Sequence, residues 1–185
     1  MITKKIKFLR SSKFSVYSKP NSRLIDRKLL DYLSTLPTDL EIGKTKQNED
    51  LRAIAKHFKI KLILRKQYKY SGTAHVDSDK IILRTNFKSG EKITKEKIRG
   101  TFCHELAHIF QNRLKIRLYD EATFSGILRE EQEAESSAII IYKKLFPFHK
   151  FTRSNFTSYF KEDDIIFLEK YYKHIYPNDC FKWQK

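Results

Sequence analysis

The sequence predicts an α+β fold, a small and mostly antiparallel sheet packed beside two long helices. Three observations carry that expectation. Apolar residues recur at helical spacing over Thr94 to Leu114 and again over Arg129 to Phe146. Between Ile60 and Leu83 lie short runs rich in Ile and Leu, separated by turn residues. No segment repeats, and 185 residues are enough for one domain with a real core. The chain divides into residues 1–70, a basic N-terminal extension with helices packed on the same domain, and residues 71–185, a core that ends in a C-terminal helix.

In chain order, the opening "MITKKIKFLRSSKFSVYSKP" is basic, Ser-rich and free of acids, and its "KIKFL" and "KFSVY" alternate like strands. Leu24 to Leu36 reads as an amphipathic helix ended by Pro37, and Thr38 to Gln47 as a polar connection holding Gly43. Glu49 to Phe58 is a second helix with Leu51, Ile54, Ala55 and Phe58 on one face. Ile60 to Leu64 is a strand, followed by a turn at Ser71-Gly72. His75 to Asp77 and Lys80 to Leu83 form a hairpin across Ser78-Asp79. Thr94 caps the next helix, whose first turn holds Lys95, Glu96 and Lys97 and whose apolar stripe is Ile98, Phe102, Leu106 and Ile109. Pro147 stops the Arg129 helix, and Glu162 to Tyr176 makes a last, aromatic-rich one.

The chemistry concentrates in "HELAH", His104 to His108. On a helix this spacing stacks two imidazoles on one face, within reach of a single metal ion. Glu105, about 100° around the helix, is placed to act on a metal-bound water rather than to share the metal. These are the parts of a zinc hydrolase: ligands His104 and His108 and a general base, Glu105. A third ligand is needed, and the positions at which other zinc helices carry a third His are Asn112 and Leu114 here. The Arg129 helix offers Glu131 and Glu135, one turn apart on one face. We take Glu131 as ligand and Glu135 as the acceptor that orients a ligand His; the reverse assignment fits the same spacing. Glu130 and Glu133 are expected in solvent, complementing the helix dipole. Tyr119, Tyr142 and His149 are unranked candidates for stabilising an oxyanion. Cys103, off the ligand face, reads as a buried thiol, and His57, His75 and His174 are unassigned.

The stretch "DKIILRTNF…KIRGTFCHELAHIF…REEQEAESSA", within Ser71 to Phe146, resembles the ImmA/IrrE family of zinc metallopeptidases. That family has a strand before a helix "T-x-x-HE-x-x-H" and a later helix "E-x-x-A-N/D-x-F-A". Here Thr101 stands three residues before His104, and the last motif falls on Glu131, Ala134, Glu135 and Ala138. Glu135 replaces the usual Asn or Asp, Ser137 the usual aromatic, and the common trailing His is missing. "REEQEAE", Arg129 to Glu135, is also similar to the metallopeptidase domain of ArdC-type antirestriction proteins. SprT-type proteases are a more distant likeness, since their third His is absent. The resemblance implies a zincin-like fold of the gluzincin class, Zn2+ as cofactor, and an intracellular metallopeptidase. It also implies a protein substrate, in the ImmA/IrrE case a DNA-binding repressor.

Composition bounds the setting. Cys103 and Cys180 are too few for a disulfide framework, which favours a reducing compartment. No apolar run approaches the ~20 residues of a membrane span, and the N-terminus lacks an apolar secretory core, so a cytoplasmic location is expected. An organellar transit peptide is the alternative reading of the basic start. The net charge of +16 is uneven: residues 1–70 carry 18 Lys/Arg against 6 Asp/Glu, or +12, and residues 71–185 carry 20 against 16, or +4. Interleaved with Phe8, Phe14, Tyr17, Tyr68 and Tyr70, that basic half keeps a second function class in view, a nucleic-acid-associated or antirestriction module built on a zincin-like domain.

Overall fold

The structure is a computed structural model and describes residues 25–38, 49–116, 124–147, 149 and 173–178. The strands expected before Pro20, most of the Thr38–Gln47 connection and most of the Glu162–Tyr176 helix lie outside these residues. The described elements are α1 (Arg27–Ser34), α2 (Glu49–His57), β1 (Lys61–Arg65), β2 (Gly72–His75), a 3-10 turn (Val76–Ser78), β3 (Lys80–Arg84), α3 (Lys95–Arg113) and α4 (Phe124–Leu145).

Local chemistry sets the helix ends. Asp26 caps α1 by accepting from the Lys28 N–H at 2.8 Å, so the helix starts later than its apolar pattern suggests. Buried Lys144 reaches from α4 to the Ser34 carbonyl at 2.7 Å and satisfies an orphan acceptor at the other end of α1. Thr94 caps α3 as expected, its hydroxyl accepting from the Lys97 N–H at 3.3 Å. Helices α2 and α3 close alike. Lys59 and Lys115 adopt positive φ, 56° and 53°, and the next residues, Ile60 and Ile116, donate back to Ala55 and Gln111 at 2.7 and 3.0 Å.

The sheet order is β1-β3-β2. β2 and β3 pair antiparallel, from Gly72 opposite Leu83 to His75 opposite Lys80. β1 and β3 pair parallel, from Lys61 beside Lys80 to Arg65 beside Arg84. The sheet is therefore mixed, which corrects the mostly antiparallel expectation. The cause is strand order: β3 returns between β1 and β2 instead of beyond β2. The connection after β1 is held to the end of β3 by Arg84, which donates to the Tyr68 carbonyl at 3.3 Å. The hairpin also begins earlier than expected. Gly72 opens the strand, Val76 and Asp77 belong to the 3-10 turn, and Asp79 takes the left-handed position at φ 43° that Asp tolerates.

One apolar cluster joins these elements: Leu29, Leu30 and Leu33 of α1, Leu51 and Ile54 of α2, Ile81 and Leu83 of β3, Phe102 and Leu106 of α3, and Ala138 and Ile141 of α4. The division at residue 70 thus falls inside the sheet, with β1 before it and its partner β3 after it. Two polar ties fix α3 against the rest. Arg99 binds Asp50 of α2 at 2.7 and 2.8 Å, both largely buried. Arg113 binds Asp79 at 3.0 Å and the Phe58 carbonyl at 2.8 Å. Helix α3 is thereby held between the sheet and α4, on which it packs most extensively.

Candidate metal centre

Helix α3 buries Ile98, Phe102, Leu106, Ile109 and Phe110, and its remaining face meets α4. His104 and His108 stack there one turn apart, ring centroids 4.9 Å apart and planes at 83°. Glu131 faces them from α4. The His104 and His108 Nε2 atoms are 3.3 Å apart, and Glu131 oxygens lie 3.2 Å from the first and 3.8 Å from the second. Zinc with bonds of 2.0–2.1 Å has tetrahedral edges of about 3.3 Å, so the three residues lie close enough together to hold one metal ion. Among the described residues no other group of His, Cys, Asp or Glu gathers in this way.

The other side of each ring is also engaged. His104 Nδ1 lies 2.9 Å from Glu135 Oε2, and His108 Nδ1 lies 3.0 Å from Gln111 Oε1. A carboxylate and an amide oxygen only accept, so both rings carry hydrogen on Nδ1; without metal the His104 Nε2–H also donates to Glu131 Oε2, and it is this proton whose loss frees the Nε2 lone pair. The orientation of Gln111 is fixed in turn by Glu133. Gln111 Nε2 donates to Glu133 Oε2 at 2.7 Å, and the Asp26 N–H donates to Glu133 Oε1 at 2.6 Å. A hydrogen-bonded path therefore runs from His108 through Gln111 and Glu133 to the start of α1.

Electrostatics favour positive charge at this cluster. Burial works against charge on His104, yet hydrogen bonds and the charges of Glu131 and Glu135 raise its pKa well above the ordinary 6.5. In the absence of metal a proton occupies this place, and metal must displace it. Burial, with the charges of Asp26 and Glu130 adding, pushes the Glu133 carboxyl up to about 7 despite the two hydrogen bonds it accepts. Glu133 is 3% exposed, which corrects its assignment to solvent. The reason is that α4 begins at Phe124, leaving no acid in its first turn and setting Glu130 to Glu135 deeper along the helix. Glu130 is the most open of these glutamates, with one oxygen 3.8 Å from His108 Nδ1.

Glu105 is buried beside the sheet edge. A Cβ added to Gly72 would stand 2.6 Å from Glu105 Oε1 and 2.7 Å from Thr101 Cγ2, so only glycine lets β2 approach α3 here. Sequence reasoning treated Gly72 as a turn and passed over Gln111. The available signals were a lone glycine at the head of a strand pattern and an acceptor three residues after His108. Cys103 is fully buried and its pKa is raised well above the ordinary value by that burial, as suits an inert thiol. Tyr142 is eleven residues, roughly 16 Å of helix, beyond Glu131 and packs on Phe146 at 5.2 Å, and the His149 ring lies 6.0 Å from the same Phe146 ring. Neither belongs to the cluster, and Tyr119 lies outside the described residues.

Comparison with family models, curated proteins and solved structures found no match for this chain. Among the described residues no helix is long and apolar enough to cross a membrane.

Proposed function

We propose that the protein is a zinc-dependent metalloendopeptidase of the gluzincin type, cleaving a protein substrate inside the cell. The observation that carries this reading is the convergence of His104 Nε2, His108 Nε2 and Glu131 at 3.2–3.8 Å, with Glu105 on the same helix one residue from the first ligand. The ImmA/IrrE resemblance supports a DNA-binding regulator, such as a repressor, as the substrate class.

Zinc held by these three residues would supply Lewis acidity toward a peptide carbonyl and toward an attacking water. The chain's own groups do the rest. Glu135 and Gln111 hold the two rings by their Nδ1 hydrogens, so the ligand lone pairs are preset. Glu105 takes a proton from the attacking water as the C–O bond forms, and returns it to the amine as the C–N bond breaks. β2 is one of the two edge strands of the sheet among the described residues, and an extended polypeptide adding to that edge would pass the Glu105 carboxylate above Gly72.

Metal analysis and a cleavage assay on labelled, unfolded casein test the proposal. The purified protein is expected to bind one zinc per chain and His104→Ala to bind none; a chain that takes up no zinc removes the site. Glu105→Gln is expected to keep the zinc and lose cleavage by about 10²–10⁴-fold. Undiminished cleavage by that variant would take the base role away from Glu105.

A further inference from the structure

The two faces of the sheet differ in kind. Leu62, Leu64, Ala74, Ile81 and Leu83 belong to or pack on the core cluster, whereas Ile63 and Ile82 do not, although Ile82 is only 6% exposed. Strand alternation therefore puts Lys61, Ile63 and Arg65 of β1, Lys80, Ile82 and Arg84 of β3, and Thr73 and His75 of β2 on the face turned away from α3. The register arranges them in rows. Lys61, Lys80 and His75 form one row, Ile63, Ile82 and Thr73 the next, and Arg65 and Arg84 the third.

"KLILR" and "KIILR" thus lie side by side in register, Lys beside Lys and Arg beside Arg, on strands about 4.8 Å apart. Like charges in adjacent positions oppose pairing, and among the described residues nothing on this face offsets them. Among the described residues no carboxylate lies within ion-pair distance of Lys61, Arg65, Lys80 or Arg84. The acid next to Lys80 in sequence, Asp79, is taken by Arg113 at 3.0 Å. The basic rows are four residues, roughly 13 Å, apart and flank an apolar row. Tyr68 stands at the Arg65 end, its ring 5.7 Å from the Arg65 guanidinium and 6.0 Å from the Tyr70 ring. On the same face His75 Nε2 is buried and has no hydrogen-bond partner among the described residues.

We infer that this outer sheet face binds a single-stranded nucleic acid, its phosphates on the Lys61–Lys80 and Arg65 rows and its bases against the partly exposed Ile63 and Tyr68, with buried Ile82 as the floor beneath them. A strand of phosphates supplies the anions that the like-charged rows lack, and unpaired bases supply flat apolar surface for the row between. A duplex hides its base faces and would leave Ile63 and Tyr68 without that contact. The site is separate from the metal centre, which lies across the sheet at α3, and it stands whether or not the protein cleaves peptides.

Fluorescence anisotropy of labelled (dT)15, read across 50–200 mM KCl, tests it. Lys61→Gln, Arg65→Gln and Lys80→Gln together are expected to weaken binding at least tenfold at 50 mM and to flatten the slope of log K against log salt by about 2. Exchanging three exposed cations elsewhere, Arg52, Lys56 and Lys88, for Gln is expected to change affinity less than twofold. Equal losses in the two triple variants would mean that total charge alone binds the oligonucleotide, and the face would be overturned. If the face variant fails to melt cooperatively, the single exchanges Lys61→Gln and Arg65→Gln should each flatten the slope by about 0.7; an unchanged slope in both overturns the assignment equally. Tyr68→Ala is expected to weaken (dT)15 about tenfold with the slope unchanged. An unlabelled 15-bp duplex that competes as well as single strand would refute the contact with bases.

Discussion

His104 and His108 have the same residue type, the same helix and the same expected role, yet they are supported differently. His104 is buried between two carboxylates, Glu135 on Nδ1 and Glu131 on Nε2. His108 is more open, and its Nδ1 meets an uncharged amide whose own partner is the carboxylate of Glu133. One ring therefore has a buried carboxylate hydrogen-bonded directly behind it, and the other has an amide there, with the more exposed Glu130 carboxylate only at 3.8 Å. Charge behind a ring makes it a stronger base, whereas an amide behind it sets only direction. The difference teaches that the pair can be held rigidly without a hydrogen-bonded carboxylate behind each ring.

The largest test changes the remote charge. In the folded chain Glu133 keeps its proton up to about pH 7, against an ordinary value of 4.5, so the folded state binds the extra proton between those limits. The Glu133 contribution to the stability of the metal-free protein accordingly falls as pH rises from about 4.5 to 7, by up to about 3 kcal/mol at 1.36 kcal/mol per unit, and is constant above. His104, whose folded pKa is raised, extends the decline: its contribution is complete below 6.5 and is lost as pH climbs through the folded value. Glu133→Gln should remove the portion below pH 7 and stabilise the metal-free protein at pH 8 by about that amount in urea unfolding. The same exchange should weaken zinc. Gln at 133 presents an NH2 to one of its two donors, which invites Gln111 to turn its own NH2 toward His108 and move that ring's hydrogen to Nε2. A variant neither stabler at pH 8 nor weaker for zinc would disconnect Glu133 from His108.

These supports were only partly legible beforehand. Helix α3 carries its own signals, since Thr94, the Ile98–Phe102–Leu106–Ile109 stripe and the paired histidines all lie within one segment. The parallel pairing of β1 with β3 has no local signal, because it depends on which gap β3 fills on its return. Glu133 is harder still. A glutamate in "REEQEAE" reads as solvated until α1 arrives, and the contact that buries it, Asp26 N–H to Glu133, spans 107 residues. Residue type pointed to Glu131 and Glu135 together, and the geometry sets Glu131 at the Nε2 atoms and Glu135 behind His104.

Next in size is the direct contrast between the two backing residues, read as zinc affinity by competition with a chelator. Removing such partners costs 10–100-fold in metal affinity. Glu135→Ala should fall near the upper end, because it strands the Nδ1 hydrogen of a ring that is 8% exposed. Gln111→Ala should fall nearer tenfold, because water can reach the more open His108 and replace the amide. Equal losses would show that the carboxylate and the amide do the same work, and the asymmetry would carry no energetic meaning.

The smallest effect concerns the end of α3 that carries Gln111. Ile116 closes this end by donating to the Gln111 carbonyl, and the turn obliges Lys115 to adopt φ 53°. A side chain in the left-handed region is strained, and glycine is not, so Lys115→Gly should raise stability by about 0.5–1 kcal/mol, seen as a higher urea midpoint with an unchanged slope. Zinc affinity should not move, since the backbone that holds Gln111 is already in the required turn. If affinity rose together with stability, the His108 side would be loosely held by the lysine turn. The greater weight of Glu135 would then reflect the rigidity of its surroundings rather than its charge.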